Sequence, residues 1–100
     1  MIPGRSQVRP NMFQTPQFAL TILRRKQVEH QTGLSRSTLY KRIGERLWPK
    51  PVSIGPRSVG WPADEIRTLN AARIAGKTDD EIREIVNDLE QARITAYDLR

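Results

Sequence analysis

The sequence contains no cysteine, only one histidine and no long apolar run. Without cysteine the chain forms no disulfide and offers no thiolate to a metal, which is compatible with a reducing cytosol. The longest apolar stretch, FALTIL at residues 18–23, is far too short to span a bilayer. The N-terminal segment MIPGRSQVRP lacks the apolar part of a signal peptide. We therefore expect a soluble, cytoplasmic protein with no membrane partner.

Acidic residues are scarce in the first part of the chain. Residues 1–61 hold eleven Lys and Arg against only Glu29 and Glu45, which gives a net charge of +9. Residues 62–100 hold six Lys and Arg against nine Asp and Glu, which gives −3, so the whole chain carries +6. This polarised charge indicates a polyanionic partner for the first part alone. Double-stranded DNA is the first candidate, because no long stretch there has the wide apolar face of a membrane-bound helix.

Residues that carry catalysis or hold cofactors are also few. His30 has no second imidazole and no thiol to work with, so we assign it a surface position. The sequence shows no phosphate-binding glycine loop and no pair of nucleophile and base. Capping and the helix dipole explain the acidic start of the last predicted helix more simply than a magnesium site does. We expect no enzyme activity, no cofactor, no metal and no small-molecule substrate.

The chain is long enough for one small domain with a modest core. Residues 1–17 contain three prolines and predict a flexible N-terminal arm. Arg5 and Arg9 in this arm have the chemistry to touch a phosphate or a minor groove, but a tail without such a role is the simpler interpretation. Residues 18–76 predict a DNA-binding domain, and residues 77–100 an amphipathic helix that packs on it or dimerises.

Two short helices joined by the turn TGLS, residues 32–35, are predicted in the first half of the chain. The first helix follows a short extended segment and runs from about Arg25 to Thr32. Gly33 ends it, because glycine readily adopts the left-handed conformation of a helix C-terminus. Ser35 caps the second helix with its hydroxyl group. Two helices with this short connection form a helix-turn-helix.

The second helix has one apolar side and one basic side. Leu39, Ile43 and Leu47 recur at intervals of four and form one buried stripe. Reading the major groove needs hydrogen-bond donors on the opposite side of such a helix. A solvated helix is the alternative, but the turn before it, the hairpin after it and the +9 charge favour DNA. The candidates for groove contacts are Arg36, Ser37 and Lys41, followed by Thr38 and Tyr40. The candidates for backbone contacts are Arg42, Arg46 and Lys50.

A small two-stranded hairpin is predicted after this helix, with the turn residues GPRS at 55–58 between its strands. Arg57 and Ser58 at its tip are candidates for contacts with the DNA backbone, because a hairpin has little core of its own. Trp48 and Trp61 are assigned to the core, where large aromatics in small domains usually lie. A helix-turn-helix followed by such a hairpin is a winged helix.

Two more helices complete the predicted fold, which is mainly α. One runs from about Pro62 to Ala75, and the last begins with the capping-box spacing of Thr78 and Glu81. The apolar face of the last helix packs on the winged helix or pairs with a second copy, since DNA readers often form homodimers. An alternative of another class is a protein-interaction module that works through residues 78–97, with the basic helix merely solvated.

Residues 20–69 resemble the AlpA family of phage and prophage transcriptional regulators, relatives of MerR-type and excisionase-type winged helices. The best-matching pieces are TGLSRSTLY, PKPV, the pattern G-x-R-x-V-x-W that starts at Gly55, and DEI at residues 64–66. The resemblance implies a DNA-binding protein that activates or represses phage genes, often those for integrase or excision.

By this resemblance residues 35–40 correspond to the start of the family's recognition helix, and Arg57 to its wing. The chain departs from the family pattern at residues 29–31, EHQ, where a more apolar helix is typical, and at Leu69, where an aromatic is common. We expect a sequence-specific regulator of phage or mobile-element genes. The alternative within DNA binding is an excisionase-like architectural factor that bends DNA at an attachment site.

Overall fold

The computed structural model describes the chain from residue 20 to residue 98, and the predicted arm, residues 1–17, lies outside the described residues. The elements in chain order are β1 (Ile22–Arg24), α1 (Arg25–Thr32), α2 (Arg36–Gly44), β2 (Val52–Gly55), β3 (Ser58–Pro62), α3 (Ala63–Ile74) and α4 (Asp79–Asp98). Two helices, a hairpin and two further helices confirm the mainly α winged helix-turn-helix. None of these helices is both long enough and apolar enough to cross a membrane.

The hairpin gains a third strand from the segment that the sequence indicated only as extended. β3 is central and pairs antiparallel with β2 on one side and with β1 on the other, where Leu23 lies opposite Trp61. Gly60 permits this close pairing, because a Cβ atom there would lie 2.5 Å from Cγ2 of Ile22 and 2.8 Å from the carbonyl oxygen of Leu23. β1 therefore ties the start of the helix-turn-helix to the hairpin.

The ends of the helices follow local signals, with one exception. Gly33 after α1 and Gly76 after α3 have φ angles of 76° and 82°, as a left-handed helix terminus requires. α2 ends at Gly44, before Leu47, the last residue of the apolar stripe that the sequence indicated for this helix. Its chain turns at Arg46, whose φ is 64°, and the N–H of Leu47 donates to the carbonyl of Arg42 at 2.8 Å. This is the same type of terminus with an arginine where glycine is usual.

A single apolar core connects the helices of the described region with β1 and β3. The predicted burial of Leu39, Leu47 and both tryptophans is confirmed, and Trp61 has no exposed surface. α4 contributes Ile82 and Val86, which are also completely buried. Full burial of side chains of this size stabilises the fold by roughly 1.5–3 kcal/mol each. The buried apolar residues are Leu23, Val28, Leu39, Leu47, Trp48, Trp61, Ile66, Leu69, Ala72, Ile82 and Val86.

Candidate nucleic-acid interface

Side-chain hydroxyls close the turn between α1 and α2. Oγ1 of Thr32 donates to the carbonyl of Val28 at 2.8 Å and accepts from the N–H of Leu34 at 3.1 Å. Oγ of Ser35 accepts from the backbone N–H of Thr38 at 3.2 Å, which confirms the predicted N-cap of α2. These bonds fix the direction in which α2 leaves the turn.

The outward side of α2 is polar and basic. Arg36, Ser37 and Lys41 are exposed, while Leu39 on the opposite side is completely buried. A helix turns by about 100° per residue, which predicts that Arg36 lies near the buried side of α2. Arg36 is in the first turn, however, and its side chain lies in solvent. Neither Arg36 nor Lys41 forms a hydrogen bond or ion pair through its side chain with the described residues. Both cations are therefore accessible to an external anion.

The other two predicted groove residues of α2 have contacts inside the protein. The hydroxyl of Thr38 accepts from Oγ of Ser35 at 3.0 Å, so Thr38 belongs partly to the cap. Tyr40 is 40% exposed, and its ring meets the ring of Trp61 edge-on, with 6.5 Å between the centroids. Because Trp61 belongs to β3, this contact places the flank of α2 that carries Tyr40 against the hairpin.

The tip of the hairpin carries a third exposed cation. Pro56 and Arg57 connect β2 to β3, and Arg57 has a φ of 62°, in the left-handed region. Proline followed by a left-handed residue is the pattern of a type II turn, in which glycine is preferred at the second position. A non-glycine residue there costs on the order of 1 kcal/mol, yet the guanidinium of Arg57 forms no hydrogen bond or ion pair with the described residues. Ser58 beside it is half-buried.

The three predicted backbone contacts near the end of α2 lie in different surroundings. Arg42 is half-buried and lines a small cavity with Trp48. The guanidinium of Arg46 makes a bidentate pair with Glu90, with Nη1 3.2 Å from Oε2 and Nη2 3.1 Å from Oε1. The side chain of Lys50 is exposed. Arg46 is therefore already neutralised within the protein, whereas Lys50 is not.

Three residues of α4 that support this region were not singled out from the sequence. Oε2 of Glu90 accepts from the N–H of Lys50 at 2.9 Å, and Nη2 of Arg93 donates to the carbonyl of Lys50 at 2.8 Å. Nε of Arg83 donates to the carbonyl of Glu45 at 2.9 Å. The partners are 38 to 43 positions apart, so no local pattern reveals them. The one signal in the sequence that could have pointed to these three residues is that charged residues recur near the apolar face of this helix.

The charge of Glu90 is stabilised by its neighbours. Partial burial raises the pKa of its carboxyl group, but this is outweighed by hydrogen bonds from Arg46 and from the N–H of Lys50, together with the positive charges of Arg46 and Arg93. The resulting pKa lies below the ordinary value for glutamate. The carboxylate is therefore charged at neutral pH and holds Arg46.

Several acidic side chains are paired within the second part of the chain. Asp64, Asp79 and Asp80 pair with nearby arginines of the second part of the chain. Glu45, exposed just after α2, is an exception. Among residues 20–98 no group of three or more His, Asp or Glu side chains is arranged to hold a metal ion. We call Arg36, Ser37 and Lys41 of α2, together with Arg57 of the hairpin, the basic surface.

Comparison with known proteins places the chain in a family. Residues 21–74, from β1 to the end of α3, match the family model described as Prophage CP4-57 regulatory protein (AlpA). The chain belongs to the AlpA family. This confirms the resemblance and makes the protein a member of a prophage regulatory family. The match ends before α4, so the α4 residues that bind the segment after α2 lie outside it.

A relative in Enterobacteria phage P4, the uncharacterized protein ORF88, is 44% identical over 55 residues. The aligned part is 55% of this chain and 62% of the relative, so the chain spans less than two thirds of that protein's length. No solved structure matches the chain.

Proposed function

We propose that this protein binds duplex DNA, with α2 in the major groove and the hairpin on the DNA backbone, and thereby regulates phage or mobile-element genes. The observation that carries this proposal is the basic surface. Arg36, Lys41 and Arg57 are exposed on two neighbouring elements, and their side chains have no acidic partner among the described residues. The phosphates of DNA supply the missing counter-charge. The description of the AlpA family as regulatory supports the same conclusion.

The residues of α2 have different parts in this interface. Arg36 and Lys41 are long donors suited to guanine O6 and N7 or to a phosphate. Ser37 is short enough to let the helix backbone approach the bases, and its hydroxyl can donate or accept. Thr38 and Tyr40 stand at the edges of this contact, because both also have partners inside the protein.

The remaining candidates serve the DNA backbone. Arg57 and Ser58 contact phosphates beside the groove, and Arg42 and Lys50 add contacts at the end of α2. Arg46 has the smallest part, because its pair with Glu90 must open or be shared before it meets a phosphate. These assignments give α2 the sequence preference and give the hairpin a contribution that is the same for every sequence.

The rival function, a protein-interaction module on residues 78–97, is less well supported. Ile82 and Val86, the centre of the apolar stripe that such a module would offer, are completely buried in the protein's own core. A partner would have to displace α4 to reach them. We also propose no catalysis, since the basic surface combines cations and hydroxyls without an adjacent base or nucleophile pair.

The proposal is tested by titrating the protein into mixed-sequence duplexes at several salt concentrations. We expect affinity to fall steeply as salt rises, because binding releases counterions from DNA. Arg36→Ala or Lys41→Ala should cost about 1–3 kcal/mol and relax the preference at one base pair. Lys77→Ala is the matched control, since Lys77 is an exposed lysine beyond α3 and away from the basic surface. Absence of salt-sensitive binding by the unaltered protein would overturn the proposal.

Promoter regulation and architectural bending use the same interface and need a separate measurement. We place the main role at promoters, because the family description names a regulatory protein. A bending assay on bound duplexes, combined with promoter and excision reporters, distinguishes the two. Strong bending with altered excision and no promoter effect would favour the architectural role instead.

A further inference from the structure

The segment between α2 and β2, residues 45–51, joins the two elements of the proposed DNA interface. We call it the linking loop. It contains no regular secondary structure apart from the turn that ends α2. Backbone polar groups in such a segment need partners from elsewhere when they are shielded from water. The orientation of the hairpin relative to α2 therefore depends in part on what holds this loop, together with the pairing of β1 with β3.

Side chains from distant elements bind four backbone groups of the linking loop. Nε1 of Trp61 donates to the carbonyl of Pro49 at 2.8 Å. Arg83 binds the carbonyl of Glu45, while Glu90 and Arg93 bind the N–H and the carbonyl of Lys50. Three of the four bonds thus come from α4, which follows the part of the chain that the family model matches.

Two of the three α4 residues that bind the linking loop, Glu90 and Arg93, are largely buried and have further partners. Nε and Nη2 of Arg93 donate to the two carboxylate oxygens of Glu65 at 2.8 and 2.7 Å, and the side chains are 17% and 5% exposed. The side chain of Glu90 is 11% exposed and also pairs with Arg46. Spacings of seven and three residues put Arg83, Glu90 and Arg93 on one side of the helix. α4 therefore meets the loop with two largely buried side chains, whereas Arg83 is 42% exposed and pairs with Asp80.

We propose that Arg83, Glu90 and Arg93 are positioning residues that set the hairpin relative to α2 for DNA binding. This inference rests on the proposed function. None of the three belongs to the basic surface, and Glu90 has the wrong charge to contact a phosphate. They act through the linking loop, by holding its backbone at the end of α2 and again just before β2.

Glu90→Ala gives the sharpest test, because a positioning role and a simple charge effect predict opposite changes in the affinity for DNA. Removing an acid from a DNA-binding protein reduces repulsion and frees Arg46, so without positioning the affinity should stay the same or rise. With positioning, we expect affinity for a bound duplex to fall about tenfold, within the range known for residues that act on a site indirectly. Asp88→Ala is the matched control, since Asp88 is an exposed acid on α4 whose side chain has no partner among the described residues.

A double-mutant cycle separates positioning from general loss of stability. In the Arg57→Ala background the hairpin no longer contributes its phosphate contact, so adding Glu90→Ala should lower affinity much less than it does in the unaltered protein. Binding is measured at a temperature at which circular dichroism shows every variant folded. If Glu90→Ala does not fold, Arg83→Ala replaces it, because it removes the bond from Nε of Arg83 to the carbonyl of Glu45 at a side chain that is 42% exposed, and its loss of affinity should also shrink in the Arg57→Ala background.

Each result of these binding experiments leads to a different conclusion. A selective loss in Glu90→Ala that shrinks in the Arg57→Ala background supports positioning. Equal or tighter binding by Glu90→Ala, or a loss that is the same in both backgrounds, overturns it while leaving the proposed function intact. Failure of the unaltered protein to bind duplex DNA overturns the proposed function itself, and the positioning role with it.

Discussion

At the scale of single residues, two arginines stand where glycine is the usual choice. Arg46 ends α2 and Arg57 turns the hairpin, and both have left-handed φ angles, of 64° and 62°. Strain of this kind persists only where the surrounding structure imposes it, and it is common at functional sites. Arg46 has an evident use inside the protein, its bidentate pair with Glu90. Arg57 has none among the described residues, which is why we look for its partner outside the protein.

The first prediction concerns Arg57→Gly, compared with Arg57→Ala. Glycine adopts the left-handed conformation without a steric penalty, so the glycine variant should be about 1 kcal/mol more stable than the alanine variant. Both variants lose the guanidinium, so both should bind DNA more weakly and lower the salt slope by about one. Urea unfolding and salt titrations measure the two effects. DNA binding as strong in either variant as in the unaltered protein would contradict the role given to Arg57.

At the scale of elements, the residues that cap the helices have partners close by in the sequence. The residues of α4 that bind the linking loop have partners far away in the sequence. The bond between Ser35 and Thr38 joins residues three positions apart. The two reciprocal bonds between Thr78 and Glu81, at the start of α4, have the same spacing. Such caps can be predicted from the sequence because the signal and its partner lie together. The bonds of Glu90 to the linking loop cannot, since they exist only after the chain has folded.

The second prediction is that the stability of the folded protein depends on pH through the carboxyl group of Glu90. Its pKa is lowered in the folded protein, so its contribution to stability is present above the ordinary glutamate value of 4.5 and is lost as pH falls through the lowered folded value. Glu90→Gln should therefore be clearly less stable than the unaltered protein at neutral pH, and the difference should shrink as the solution is acidified. Urea unfolding from about pH 7 to about pH 3 measures it. A constant difference across this range would contradict the assignment.

At the scale of the whole molecule, the core continues across the boundary that the sequence suggested after residue 76. Ile82 and Val86 of α4 are buried in one cluster with Leu39 and Trp61. Glu65 of α3, only 4% exposed, has its charge balanced by Arg93 of α4. Leaving such a buried carboxylate without its partner typically costs about 3–5 kcal/mol. We therefore treat α4 as part of the folding unit that presents the basic surface.

The third prediction compares Ile82→Ala with Ile94→Ala, the same chemical change at two positions of α4. Ile82 has no exposed surface, whereas Ile94 is 68% exposed. The first change should cost about 2–5 kcal/mol because it leaves a cavity in the core. The second should change stability by less than about 0.5 kcal/mol, as surface changes usually do. Similar costs at the two positions would show that α4 is not packed into the core as described.

How much of the structure can be predicted from the sequence depends on how far apart the interacting residues lie along the chain. The helix-turn-helix follows from Gly33 and Ser35, the hairpin turn from GPRS at residues 55–58, and the buried side of α2 from the spacing of Leu39 and Ile43, all of which are local signals. The pairing of β1 with β3 and the supports from α4 join residues nearly forty positions apart or more. For the interface, the sequence indicated the outward position of Lys41 and Ser37, but it gave no sign that Arg46 is already paired.

Binding of DNA through α2 and the hairpin is best tested by an NMR titration of the protein with a duplex it binds, following each backbone amide. We expect the largest shifts at the first turns of α2 and at the hairpin tip, residues 36–41 and 56–58, with little change on the outer side of α4. Shifts confined to α4, or no shifts at all on adding DNA, would contradict it.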